Sequence, residues 1–184
     1  MAEIPTIETA RLILRGYRLD DFPAHAEFWA DPDVTRFIGG RPFSREEAWA
    51  RFLRYAGMWR VMGFGFWAVT DRESGHLIGS AGFHDLKRGL TPDIEGTMEA
   101  GWSLSPGVQG KGIGSELVGA MMRWADANRP DMRITCLIDP DNAPSLRLAE
   151  KHGFREFART DYHGNPVILF ERSRSGGHGS NALR

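Results

Sequence analysis

The sequence predicts a mixed α/β domain in which about four helices flank a largely antiparallel sheet of seven strands. Three observations carry that prediction. Short branched or aromatic runs bounded by turn residues recur along the chain, as strands do. Four longer stretches read as helices from their caps and from apolar residues spaced about 3.6 apart. The resulting order is strand, two helices, three strands, helix, strand, helix, two strands, so parallel pairing can enter only where the later helices cross over. The chain has 184 residues, 41% hydrophobic and 26% charged, enough for one domain with a sizeable core. Residues 1–172 are assigned to that domain. The tail 173–184, with three glycines and three serines, is expected to be disordered.

The elements follow in order. Arg11 to Arg15 is short and branched and reads as the first strand. Asp20 or Asp21 is expected to cap a helix through Ala30, which Asp31-Pro32 stops. Ser44 with Glu47 three residues on forms a capping-box pattern opening a second helix, whose apolar stripe includes Trp49, Phe52, Leu53 and Trp59. Phe64–Val69 and His76–Phe83 read as an antiparallel hairpin around a turn at Asp71–Gly75. Residues 84–93 read as a loop and Ile94–Leu104 as the next strand. The stretch 112–128 carries Ile113, Leu117, Met121 and Ala125 on one helical face. Arg133–Ile138 is a buried strand, Asn142 caps a short helix to about His152, and Gly153 is a good residue to end it. Phe154–Ala158 and Val167–Glu171 complete the sheet.

Composition excludes several roles. Net charge is −1 with no basic run, so no nucleic-acid partner is expected. Met1–Arg15 has no continuous apolar run, and neither a signal peptide nor a membrane span is expected, which points to a soluble cytoplasmic protein. The single cysteine, Cys136, sits in an apolar run and reads as a buried structural thiol. The six histidines form no ligand-spaced cluster, so no metal site is expected. Gly79-Ser80-Ala81-Gly82 lacks the first glycine of a nucleophile elbow, since Ile78 stands there.

The informative stretch is Glu99–Val118. A strand breaks at Ser105-Pro106-Gly107, passes a glycine-rich turn and opens a helix, an arrangement that presents backbone N–H groups to an anion. A P-loop needs a hydroxyl after Gly-Lys, but Gly112 follows Gly110-Lys111. A dinucleotide fingerprint needs a third glycine, where Ser115 stands. The remaining pattern is Gln109-x-x-Gly112-x-Gly114.

With its strand and helix, that pattern resembles the acyl-CoA pyrophosphate loop of the GNAT superfamily of N-acetyltransferases. More narrowly, it is similar to the branch holding the ribosomal-protein N-terminal acetyltransferases. Leu12-Ile-Leu-Arg15, Gly65-x-Trp67, Gly79-x-x-Gly82, Glu99-x-Gly101-Trp102-x-Leu104 and Asn142-x-x-Ser145 with Lys151-x-Gly153-Phe154 extend the resemblance, in order, over residues 8–172. It implies a GNAT fold and acetyl-CoA as acyl donor. The N–H groups from Gly110 through Lys111, Gly112, Ile113 and Gly114 to Ser115 would meet the pyrophosphate, without a metal. Backbone groups of Trp102, Ser103 and Leu104 would pair with the pantetheine, because the family's strand here splays from its neighbour.

The acceptor implied is an amine: a protein N-terminus, an amino acid, a polyamine or an antibiotic amine. An α-amino group titrates near ~8 and a lysine near ~10.4, so the second needs more help losing a proton. Glu99 is the first candidate base, with a substrate-amine anchor or a surface carboxylate as its other readings. Glu95, of the same strand parity, is the alternate. Leu104 N–H is a candidate to polarise the thioester carbonyl. Ser145 reads either as a hydroxyl near the CoA sulfur or as a first-turn helix residue. Asn142 is a cap or a cap that also reaches the cofactor. Tyr17, Tyr55 and Tyr162 match no family position for an acid. His84 and Asp85 read as a solvated turn, with an acceptor-side pair as the lesser reading. Most of the large aromatics, Trp29 to Trp102, read as core, a few as acceptor lining. The branch admits a homodimer. Two rival readings stand beside transfer: a non-catalytic CoA-binding sensor of the same fold, and a nucleotide-dependent enzyme using the glycine loop.

Overall fold

A computed structural model describes residues 3–172; the tail expected to be disordered lies outside them. Eight strands form one sheet in the order β1-β2-β3-β4-β5-β6-β8-β7. They are β1 (Ile7–Glu8), β2 (Leu12–Arg15), β3 (Phe66–Asp71), β4 (Leu77–His84), β5 (Met98–Leu104), β6 (Ile134–Ile138), β7 (Phe154–Tyr162) and β8 (Asn165–Arg172). The helices are α1 (Phe22–Ala30), α2 (Pro32–Thr35), α3 (Arg45–Met62), α4 (Ile113–Asn128) and α5 (Ala143–Lys151). The eighth strand and fifth helix are the two- and four-residue pieces β1 and α2, too short to leave a periodic trace in sequence.

Every neighbouring pair in the sheet is antiparallel except β5 with β6. Two cores cover its faces. Leu12, Leu14, Trp67, Val69, Phe83, Met98 and Ala100 pack on Leu117, Met121 and Ala125 of α4. The opposite strand parity, including Phe66, packs on Trp29, Tyr55 and Met58 of α1 and α3. Cys136 is buried, and burial raises its thiol well above the usual value, as a structural cysteine requires.

Local chemistry explains most boundaries. Ser44 Oγ accepts from Glu47 N–H at 3.1 Å while Glu47 Oε2 accepts from Ser44 N–H at 2.8 Å, the reciprocal cap expected for α3. Gly63 ends that helix in the left-handed conformation, and Gly153 follows α5 at φ 86°. Asp21 departs from expectation. Its side chain makes no cap bond to α1 and instead grips the Arg15 guanidinium at 2.7 Å through both oxygens. β5 begins at Met98, four residues later than expected, because Gly96 turns the chain at φ 76°. Glu95 therefore lies in an exposed loop, and the parity that paired it with Glu99 does not apply.

Candidate active site

The junction of β5 and β6 organises the site. Parallel pairing is confined to Met98↔Ile134 and Glu99↔Thr135, after which the strands part. Along its other edge β5 stays paired with β4 to Gly79↔Leu104. The β6-facing backbone of Gly101 to Leu104 is thus released from the sheet, and these residues are half-buried. Trp102 and Leu104 turn their side chains to the α4-side core, which fixes the strand while leaving its backbone groups available. Because β5 and β6 run the same way, the loop-helix segments after both emerge at one end of the sheet, where ligands of open α/β sheets bind.

Beyond β5 the chain turns through Pro106–Val108 to the glycine loop. Gly110 (φ 74°) and Gly112 (φ 76°) both need the left-handed conformation. Gly112 is the N-cap residue of α4, and no side chain caps the helix. The N–H groups of Ile113, Gly114 and Ser115 precede the first intrahelical bond, Glu116 N–H to Gly112 O at 3.1 Å, and point out of the helix start. A Cβ on Gly114 would stand 3.3 Å from Leu148 Cδ2, so this glycine serves the approach of α4 to α5. Gln109 Nε2 donates to Leu104 O at 3.3 Å, and Lys111 Nζ donates to Gly107 O at 3.0 Å, so both fold back on the loop. Ser115 Oγ lies 3.1 Å from His152 Nε2 at the end of α5.

Sequence reasoning missed a latch on this loop. Arg11 Nη1 donates to Lys111 O at 2.8 Å, and its Nε donates to Glu116 Oε2 at 2.7 Å. Glu116 Oε1 also accepts from Arg11 N–H at 2.8 Å and Thr9 Oγ1 at 2.6 Å. The only sequence signal was an acidic residue in the first turn of α4. After β6, Asn142 Oδ1 accepts from Ser145 N–H at 3.2 Å, so Asn142 is a helix cap. Ser145 is a half-buried residue in the first turn of α5.

On the opposite face of β5, Glu99 is buried at 5% exposure, which removes its surface-carboxylate reading. Arg88 donates to it through Nε and Nη2, both at 2.8 Å. His84 Nε2 stands 2.9 Å from Glu99 Oε1, out of line for a good hydrogen bond. Burial alone would raise the Glu99 carboxyl; the contacts of His84 and Arg88 outweigh it and hold it at about 2. Burial lowers His84 below its ordinary value, against the opposing pull of the Glu99 carboxylate. His84 is the last residue of β4, directly opposite Glu99, and is buried; the solvated-turn reading does not hold. Asp85 is tied to Lys87 Nζ at 2.6 Å and to Gly96 N–H at 3.0 Å. Arg88 lies 4.6 Å from the centre of the Tyr162 ring, which brings the β7–β8 hairpin to the same cluster. Of the aromatics, Trp29, Trp59, Phe64, Phe66, Trp67 and Phe83 are core, while Trp102 and Phe37 are half-buried.

A half-open pocket of about 300 Å³, lined by Trp59, Trp124 and Arg129 among others, lies at the far end of α4 from the glycine loop. Among the described residues no cluster of three histidine, cysteine or carboxylate side chains is arranged for a metal. No described helix is long and apolar enough to cross a membrane.

A strand that leaves its parallel partner above a glycine loop defines an acyl-transferase type of site, and comparison with known proteins gives the family. Residues 11–155 match the model of the acetyltransferase (GNAT) domain. The uncharacterized N-acetyltransferase YnaD of Bacillus subtilis is 30% identical over 149 residues, covering 81% of this chain and 82% of YnaD. A GnaT-family acetyltransferase structure from Bordetella pertussis superposes with a TM-score of 0.82 at 31% identity, covering 92% of this chain and 99% of that one. The chain belongs to the GNAT acetyltransferase family. A structure of RimL, a ribosomal L7/L12 α-N-protein acetyltransferase, in complex with coenzyme A shares the fold at 19% identity and a TM-score of 0.73, covering 91% of this chain and 97% of that one.

Proposed function

We propose that residues 1–172 act as one cytoplasmic N-acetyltransferase domain. It moves an acetyl group from acetyl-CoA to a primary amine by direct attack in a ternary complex. The observation that carries this reading is the parting of β5 from β6 above an uncapped helix start. The N–H groups of Gly110 to Ser115 would receive the pyrophosphate, with Gly110 and Gly112 supplying the backbone geometry. Backbone groups of Trp102 and Leu104, on the edge freed from β6, would pair with the pantetheine while Ser103 between them holds the strand to β4, and Leu104 N–H is the donor for the thioester carbonyl. Asn142 contributes by capping the helix that carries Ser145, whose hydroxyl is assigned to the departing sulfur. A thiol titrating near ~8.5 leaves without much help, so that hydroxyl adds little to the rate.

Glu99 is assigned a different part from proton acceptor. Both its oxygens are engaged by Arg88, and a carboxyl held at about 2 is a weak base. It anchors Arg88 and faces His84 beneath the groove, and the amine reaches the thioester already neutral; after attack the nitrogen gives one of its two protons to water as the C–S bond breaks and the CoA thiolate departs. An α-amino group, titrating near ~8, meets that condition more readily than a lysine. The test is thiol release from acetyl-CoA over a panel of amines, alongside thermal shift with acetyl-CoA. Stabilisation with amine-dependent release is expected. Stabilisation without release on any amine would leave the sensor reading, and no stabilisation would remove both.

A further inference from the structure

The acceptor side of the cleft carries an electrostatic imbalance. α3 presents Arg51 and Arg54, three residues apart and on neighbouring positions of the helix surface. Among the described residues no carboxylate lies within 4 Å of either guanidinium. The helix offers Arg54 no acid, because its neighbours three and four residues away are Ala50, Arg51, Gly57 and Met58. Arg51 has Glu47 four residues before it, but that carboxylate is committed to Arg41. The acids of the surrounding segments are likewise taken: Asp21 by Arg15, Asp85 by Lys87, Glu99 by Arg88.

The two arginines are connected to the cleft through stacked rings. Both guanidinium carbons lie 6.0 Å from the Tyr55 ring centre, and Arg51 Nη1 donates to Tyr55 Oη at 3.1 Å. Tyr55 stacks on Phe66 at 4.4 Å, nearly parallel, and Phe66 lies 5.2 Å from the His84 ring. The tip of Phe66 closes on Gly101, where a Cβ would stand 2.9 Å from its Cζ. Gly101 opens the freed stretch of β5, so packed rings join Tyr55 to the groove, and Arg54 acts electrostatically on the His84 and Arg88 side of it. Arg54 is exposed at the helix surface but crowded along its stem; that crowding and the charges of Arg51 and Arg88 disfavour its cation, and its own charge acts in turn on His84. A guanidinium left among others without an acid marks a place where an anion completes the site.

We propose that the acceptor is an amine that also carries a carboxylate several bonds away, received by Arg54 with Arg51 beside it while the amine reaches the thioester at Trp102–Leu104. The inference rests on the acetyl-transfer reading above. It selects acidic short peptides and similar amino acids over polyamines and basic peptide tails, whose charge would meet Arg51, Arg54 and Arg88 against the single, already paired Glu99. Charge-assisted recognition of this kind is worth about tenfold or more in kcat/KM.

The test uses the full chain with acetyl-CoA and C-terminally amidated Ala-Glu, Ala-Gln and Ala-Lys, with spermidine as a cationic amine. Wild type is expected to favour Ala-Glu over Ala-Gln by about tenfold, chiefly through KM, with Ala-Lys and spermidine poorer still. Arg54→Gln should bring the Ala-Glu and Ala-Gln rates together while keeping the thermal shift with acetyl-CoA. Equal rates for Ala-Glu and Ala-Gln overturn the proposal, as does a preference for Ala-Lys or spermidine, or an Ala-Glu preference that survives Arg54→Gln. A thermal shift with acetyl-CoA and no turnover on any amine overturns it together with the transferase reading; turnover without the carboxylate preference overturns it alone.

Discussion

Replacing Glu99 with glutamine tests the buried cluster by stability and by pH together. The substitution keeps the shape and removes the charge, leaving the Arg88 guanidinium, 13% exposed, without its carboxylate. Two routes give the magnitude. The Glu99 carboxyl lies at about 2 in the fold against an ordinary 4.5, a difference that corresponds to about 3 kcal/mol by linkage. Breaking a buried pair by removing one partner costs about 3–5 kcal/mol, and the partial exposure of Arg88 favours the lower end. For a domain of this size, about 3 kcal/mol lowers Tm by about 6–12 °C. The sign with pH follows from the direction of the shift. A depressed carboxyl contributes stability that is complete above the unfolded value and is lost as pH falls from about 4.5 toward about 2. Denaturant midpoints of wild type and Glu99→Gln, taken from pH 7 down to pH 3, should therefore differ most at neutral pH and converge on acidification. A gap below about 1 kcal/mol at pH 7, or one that does not narrow with acid, would refute the pairing argument. Because Glu99 is assigned an anchoring part, kcat at 25 °C and pH 7 should fall less than the about 10²–10⁴-fold expected for a lost general base.

Other outcomes follow from the glycines. Gly112→Ala forces a left-handed backbone on a residue with a Cβ at a cost of about 1–2 kcal/mol, and calorimetry should show CoA binding about 5–30-fold weaker. An unchanged affinity would mean that the loop does not hold the donor in this conformation. Gly57 is the opposite case: it lies within α3, and an added Cβ meets nothing within 4 Å. Gly57→Ala should raise stability by about 0.5–1 kcal/mol in chemical denaturation, and a loss would show that its open surface hides a contact.

What could be read from the chain alone depended on whether the signal was local. The strand, glycine turn and helix at Glu99–Val118 announce themselves because positive-φ glycines, a proline stop and a 3.6-residue stripe are properties of neighbouring residues. The capping pairs Ser44–Glu47 and Asn142–Ser145 were legible for the same reason. Asp21 looked like a cap from its neighbours, yet Arg15 outcompeted the helix for its carboxylate. Glu99 was found, but its chemistry was set by Arg88, a residue in an aperiodic loop that no spacing rule connects to it. Glu95 shared a parity with Glu99 only as long as the strand was drawn through Gly96. The Arg51–Arg54 pair was hidden inside a helix chosen for its apolar stripe, because a missing acid leaves no mark in a sequence.

The latch of Arg11 on Lys111 and Glu116 spans about a hundred residues of chain. Such a contact forms only after the intervening segments have closed around it, since the entropy of long loops opposes early docking. The glycine turn is therefore braced from outside its own neighbourhood as well: a segment made earlier by the ribosome fastens a loop made much later. Removing or crowding the segment ahead of Leu12 reaches the donor end of the groove without touching a residue of the loop, and the maturation of the site becomes a late event set by the docking of a distant upstream segment.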